Sequence, residues 1–195
     1  MKLNGYIEGY FGKLLSWNER EEILKQIVRQ KLNTYFYCPK EDPYHRLNWK
    51  EPYPESIKKG LGQFSKNCRA NEVKFLFGIS PGIDFKNSYD ELFMKISETR
   101  QLEILDVAIL FDDLFEDQNG EKHAEILNRC NDKFKDINFY CVPSEYCEQL
   151  AKPNLLESIY LKELSKNLDK EIPIFWTGSK VCLLYTSDAA DDLLC

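Results

Sequence analysis

Apolar residues along the chain fall into two alternating patterns. Short, nearly unbroken runs at residues 6–8, 34–38, 73–79, 107–111, 137–142 and 174–176 read as strands, the longer ones as strands buried on both faces. Between them lie stretches with apolar residues at helical spacing. One carries Ile23, Leu24, Ile27 and Val28 on one face; another starts near Pro54 and buries Ile57, Leu61, Phe64 and Cys68; a third carries Leu92, Phe93 and Ile96. Two more helices are predicted over 121–134 and 155–168. Ser16-Trp17-Asn18-Glu19 and Ser88-Tyr89-Asp90-Glu91 both fit a capping box, with Glu three positions after Ser. Regular strand-then-helix order predicts an α/β fold with a parallel sheet and helices packed outside it. Gly, Pro, Lys, Asp and Tyr collect after the strands, whereas the segments after helices are plain. That asymmetry favours a (β/α)8 TIM-type barrel over a doubly wound sheet, since a barrel places its site on the loops following strands. Six strands can be counted where a barrel has eight, so the fold expected is a barrel truncated after about six strands.

The most informative run is Val107-Ala108-Ile109-Leu110-Phe111, which leads into Asp112 and Asp113. Two adjacent carboxylates at the carboxyl end of a buried strand stand where parallel α/β folds bind ligands. Such a pair repels itself and adds nothing to stability. Close carboxylates couple their titrations and split into one acid and one anion, which suits acid–base chemistry. A solvated acidic loop is the plain alternative.

Composition narrows the field. The chain has 195 residues, 43% of them hydrophobic, and a net charge of −6 with both signs well mixed. That balance argues against nucleic acid or an anionic membrane as a partner, and no apolar stretch has the length of a membrane span. The first residues lack the apolar segment of a secretory signal, so a cytoplasmic setting is expected. Seven cysteines show no C-x-x-C pair and lie mostly in apolar runs; they read as reduced core thiols. With only His45 and His123 as histidines and no cysteine pairing, a zinc site is not expected; no cofactor is expected.

Six segments in order then resemble glycoside hydrolase family 84, the O-GlcNAcase and bacterial β-N-acetylglucosaminidase family. They are residues 5–12 (GYIEGYFG), 33–46 (NTYFYCPKEDPYHR), 78–84 (GISPGID), 110–113 (LFDD), 144–147 (SEYC) and 176–178 (WTG). The resemblance implies a retaining hydrolase in which the substrate's 2-acetamido oxygen, rather than an enzyme carboxylate, attacks the anomeric carbon. It implies that Asp112 orients the acetamido N–H and that Asp113 is the general acid and base. Gly9 would accept a sugar hydroxyl through its carbonyl, Lys40 would donate to a hydroxyl of the same sugar, and Tyr146 would bond near the acetamido group. The implied partner is a glycan or glycoprotein bearing N-acetylglucosamine. Without the family, Gly9 reads as a tight turn, Lys40 as a solvated lysine, and Tyr146 as a core or rim aromatic. Tyr37 and Trp176 read as barrel or rim packing, Trp17 and Trp49 as structural.

The chain departs from the family in lacking its later motif and strands seven and eight, which leaves this 195-residue chain itself expected to be inactive. Residues 1–181 are expected to form the partial catalytic barrel. Residues 182–195 continue neither period, and Leu184-Tyr185-Thr186-Ser187-Asp188-Ala189-Ala190-Asp191 resembles translated sequencing adapter; this tail is expected to be non-native or disordered. Two rival functions remain on residues alone. One is a non-catalytic carbohydrate-binding relative. The other is a diphosphate enzyme holding Mg²⁺ on Asp112, Asp113, Glu116 and Asp117, although that motif belongs on a long helix.

Overall fold

The computed structural model describes residues 2–81, 85–112 and 119–178. Five strands, β1 (Gly5–Glu8), β2 (Thr34–Tyr37), β3 (Lys74–Ile79), β4 (Asp106–Leu110) and β5 (Asn138–Val142), form one parallel sheet in the order β1-β2-β3-β4-β5. A helix follows each strand: α1 (Trp17–Arg29), α2 (Glu55–Ala70), α3 (Tyr89–Gln101), α4 (Gly120–Lys133) and α5 (Ile159–Asn167). Each new strand joins the sheet beside its predecessor, which is the winding of a barrel and not the reversal of a doubly wound sheet.

The strand pleat sorts side chains onto two faces. Val107, Ile109 and Phe111 join Leu24, Ile27, Leu61, Phe64 and Ile96 in the larger core, between sheet and helices. Ala108 and Leu110 turn the other way, into a smaller cluster with Phe36, Cys38, Leu76 and Tyr140. This is why β2, β3 and β4 carry continuous apolar runs: both faces are covered.

Local signals were obeyed unevenly. Ser16 caps α1, and Glu19 reaches back to the Ser16 amide, so the first capping box forms as predicted. The box predicted at Ser88 does not form: Ser88 makes no side-chain cap bond. Lys86 and Asn87 have positive φ, and the Ser88 and Tyr89 amides donate to Phe85 and Asn87, so the chain enters α3 from a tight turn instead of an extended cap. Val28, predicted on the buried face of α1, is exposed, while Arg20 takes a buried place on that face. The last helix starts at Ile159, later than predicted, because Ser158 caps it and Asn154 holds residues 156–158 in a turn. The sixth predicted strand is reduced to a bridge between Ile174 and Cys141, although Phe175 donates to the Cys141 carbonyl and the direction is parallel to β5. No helix among the described residues is long and apolar enough to cross a membrane.

Candidate active site

The site grows from alternation along two strands. Leu110 lies on the inner face of the sheet, so Asp112, two residues on, follows it to that side at the carboxyl end of β4. Cys38 lies on the same face at the end of β2, and Lys40 follows it. Between them runs β3, which carries Gly78 at this level. A Cβ on Gly78 would stand 2.7 Å from Cys38 Cβ and 2.8 Å from Leu110 Cδ1. Glycine thus lets the side chains of β2 and β4 close over β3. One layer higher, Lys40 Nζ meets Asp112 Oδ2 at 2.9 Å, with both side chains largely buried.

The other carboxylate oxygen has no such partner. Asp112 Oδ1 is buried and accepts no hydrogen bond among the described residues. A buried acceptor without a donor is uncommon and costs free energy, on the order of 1–3 kcal/mol, so it marks a place where a ligand donor gains by arriving.

The loop bearing Lys40 is held by a second buried carboxylate. Asp42 accepts from Tyr37 Oη at 2.6 Å, Tyr53 Oη at 2.8 Å and the Tyr44 amide at 2.9 Å. Burial first, then the charge of Asp42, pushes both phenols well above their ordinary pKa, which keeps them as donors. His45 Nε2 lies 2.7 Å from the Pro39 carbonyl. A carbonyl can only accept, so Nε2 carries the proton; burial pushes the pKa of His45 down and keeps the ring neutral.

A third buried carboxylate supports β1. Glu8 receives Arg20 Nε at 2.9 Å, Arg20 Nη2 at 2.8 Å and Tyr35 Oη at 2.7 Å. The guanidinium lies over the rings of Trp17 and Tyr37, at 4.6 and 5.0 Å from their centroids. Gly9 is the next residue. The Glu8 and Tyr10 carbonyls accept from Cys38 and Lys40 of the neighbouring segment, so the Gly9 carbonyl between them faces away from β2. A Cβ here would come within 3.1 Å of Ile7 Cγ2 and 3.2 Å of Cys38 Sγ, a tight fit without a left-handed turn.

Of the predicted site residues, Lys40 and Asp112 are in direct contact, and Gly9 abuts Cys38, two residues before Lys40. Tyr146 is half-buried on the loop after β5, the neighbour of β4, where its carbonyl accepts from the Thr177 amide at 2.9 Å. Asp113 lies outside the described residues. Glu8, Arg20 and Asp42 were missed from sequence, yet Arg20 had a visible signal: it shares the stripe of Leu24 and Ile27 at spacings of four and three. No group of His, Cys, Asp and Glu among the described residues could hold a metal ion.

A family model for β-N-acetylglucosaminidase matches residues 4–191. This chain belongs to the β-N-acetylglucosaminidase family. Members and relatives are glycoside hydrolases. Protein O-GlcNAcase of Mus musculus is 30% identical over 195 aligned residues, covering 92% of this chain and 21% of that protein. The Rattus norvegicus protein O-GlcNAcase matches at the same identity and coverage. The solved structure of CpGH84B superposes with a TM-score of 0.85 at 34% identity, over 92% of this chain and 34% of that one. The chain therefore spans about a fifth of the curated relatives' length and a third of the solved structure's. Its sheet and helices match part of the family's catalytic domain, and the α/β barrel fold predicted from sequence agrees with that match. Family membership also removes the diphosphate-enzyme reading, whose acidic motif here follows a strand.

Proposed function

We propose that this chain contributes the Asp112 half of a β-N-acetylglucosaminidase site that works by substrate assistance on N-acetylglucosamine carried by a glycan or glycoprotein. The observation that carries the proposal is Asp112 Oδ1, buried and without a hydrogen-bond partner among the described residues. A carboxylate with one oxygen held by Lys40 and the other lacking a donor is suited to a single incoming N–H, such as that of an acetamide.

The steps follow from that pairing. Asp112 accepts the acetamido N–H and so raises electron density on the acetamido oxygen. That oxygen attacks C1, and the glycosidic C–O bond breaks with its electron pair moving to the leaving oxygen, which takes a proton from Asp113. The product is a cyclic oxazoline still protonated on nitrogen, its N–H held by the Asp112 anion. Water then attacks C1 as Asp113 takes its proton, and the ring opens to restore the acetamide. Positive charge builds on the cyclising amide, and the Asp112 anion stabilises it more in the transition state than in the ground state. An ammonium carries three N–H groups; Lys40 sets one on Asp112, and a further one is proposed to donate to a sugar hydroxyl. The Gly9 carbonyl, turned from β2, is proposed to accept a sugar hydroxyl, and Tyr146 to bond near the acetamide. No cofactor enters this chemistry.

The test is hydrolysis of an aryl N-acetylglucosaminide by the full-length protein. Turnover supports the enzyme, whereas sugar binding without turnover would make it a carbohydrate-binding relative. Residues 182–195 are proposed to be foreign to the gene, although the family match runs to residue 191; sequencing the source locus tests this.

A further inference from the structure

Beyond Lys40, a second set of contacts converges on the backbone just before Asp112, and it runs through a histidine that the proposed chemistry does not use. His123 of α4 stacks flat on Phe111, with centroids 3.8 Å apart and planes at 5°. Its Nδ1 lies 3.0 Å from Tyr160 Oη of α5. The Ser144 amide, after β5, donates to that same phenol oxygen at 3.0 Å. Ser144 Oγ then donates to the Phe111 carbonyl at 2.8 Å, and the Phe111 amide donates to Val142 at 2.8 Å. The contacts form a closed ring that begins and ends on Phe111.

The Ser144 amide can only donate, so Tyr160 Oη accepts from it and has its own proton to offer His123. With the imidazole neutral, the arrangement that uses this proton has His123 Nδ1 as acceptor and the ring proton on Nε2. Burial holds the imidazole neutral, pushing its pKa down to about 3. The close approach of α4 and α5 that permits the contact depends on Gly120, where a Cβ would stand 2.1 Å from the Tyr160 carbonyl.

We propose that His123 and Tyr160 are positioning residues that clamp the end of β4 to the loop after β5 and so fix the aim of Asp112 relative to Tyr146. This rests on the reading of Asp112 given above. Three features of the ring favour a positioning role over simple packing. Both backbone polar groups of Phe111 are engaged, so Asp112 leaves the strand in one direction. Ser144 is two residues from Tyr146. The adjacent Glu145 is itself held by Ser158 Oγ at 2.5 Å and the Lys152 amide at 3.3 Å, which ties the same loop to the start of α5.

Tyr160→Phe and His123→Phe, made in the full-length protein, test the clamp; the first removes the shared oxygen, the second keeps the stack and removes the acceptor. Ile96→Val in α3 serves as a control of comparable stability loss. We expect each Phe variant to lower kcat per folded molecule about 10- to 100-fold, as a misaimed group does, with the control unchanged. We also expect amide hydrogen exchange to quicken at Phe111 and Asp112 more than in the helices. Loss of stability with kcat per folded molecule equal to wild type, or exchange quickened evenly across the fold, would overturn the proposal. If the wild-type protein turns over no N-acetylglucosaminide, the functional reading fails, and the exchange pattern alone decides the clamp.

Discussion

Lys40 Nζ stands 2.9 Å from Asp112 Oδ2, although 72 residues separate them in the chain. The contact crosses a whole strand and exists because β3 presents glycine beneath it. Lys40→Met should therefore remove both the proposed sugar donor and the cation that holds Asp112. We expect kcat/KM toward an aryl N-acetylglucosaminide to fall about 10- to 100-fold, the equivalent of a charge-assisted hydrogen bond worth ~1.5–3 kcal/mol. Steady-state kinetics of the full-length protein checks this; an unchanged kcat/KM would make Lys40 a bystander.

The two aspartates should separate by leaving group. Asp113→Asn removes the proposed general acid, so poor leaving groups such as a serine hydroxyl should suffer far more than activated phenols. Asp112→Asn should slow both, because the acetamide must attack C1 as the bond breaks, whatever the leaving group. A series of aryl substrates of graded acidity measures the difference, and parallel slopes for the two variants would overturn the assignment.

Substrate assistance makes the nucleophile part of the substrate. Replacing the N-acetyl hydrogens with successive fluorines should lower kcat/KM step by step, and a glucoside without the acetamide should be cleaved hardly at all. A flat response, or a trapped glycosyl-aspartate, would return the mechanism to two carboxylates.

Glu8 and Arg20 form a buried ion pair, with side chains 1% and 3% exposed. Removing one partner of such a pair leaves an uncompensated charge, and Glu8→Ala should cost about 3–5 kcal/mol. Replacing both by apolar residues of similar size should cost much less. Denaturant unfolding of the single and double variants gives the comparison, and a mild single variant would show that water reaches the pair.

His123 gives a pH signature. Its folded-state pKa, about 3 against an ordinary 6.5, is depressed by burial. The folded protein therefore binds this proton less readily than the unfolded chain. The stability this affords is whole above pH 6.5 and declines as pH falls from 6.5 toward 3, at up to about 1.4 kcal/mol per pH unit. His123→Phe lacks that slope. Its stability relative to wild type should rise as pH falls through this window, measured by chemical unfolding at each pH; parallel curves would mean that the ring is already charged in the native state.

Much of the fold was legible because burial writes itself into sequence. The run from Val107 to Phe111 is apolar at every position, since β4 is covered on both faces, and Leu61, Phe64 and Cys68 mark the inner stripe of α2. Lys40 and Asp112 were legible through strand ends and family motifs, yet nothing in one dimension indicates that they touch. The Ser88 box failed because its sequence pattern cannot reveal the preceding turn at Lys86 and Asn87. Arg20 and His123 were read past for a related reason. Each occupies a core position on its helix, with Leu24 and Ile27 or with Ile126, Leu127 and Cys130 as neighbours, but polar residues are usually taken to mark the outer face.

Gly78 has a further consequence, for divergence among relatives. With Cys38 and Leu110 closing over it, the floor beneath Lys40 and Asp112 has no room for even a methyl group. Mutation there cannot reshape the site gradually; it can only push apart the strands that lead to Lys40 and Asp112. Under the proposed function, new substrate preferences would then have to be acquired around the rim, by exchange of the segments that follow the strands, with the floor left as it is. Different aglycones could then be accommodated without disturbing the contact between Lys40 and Asp112.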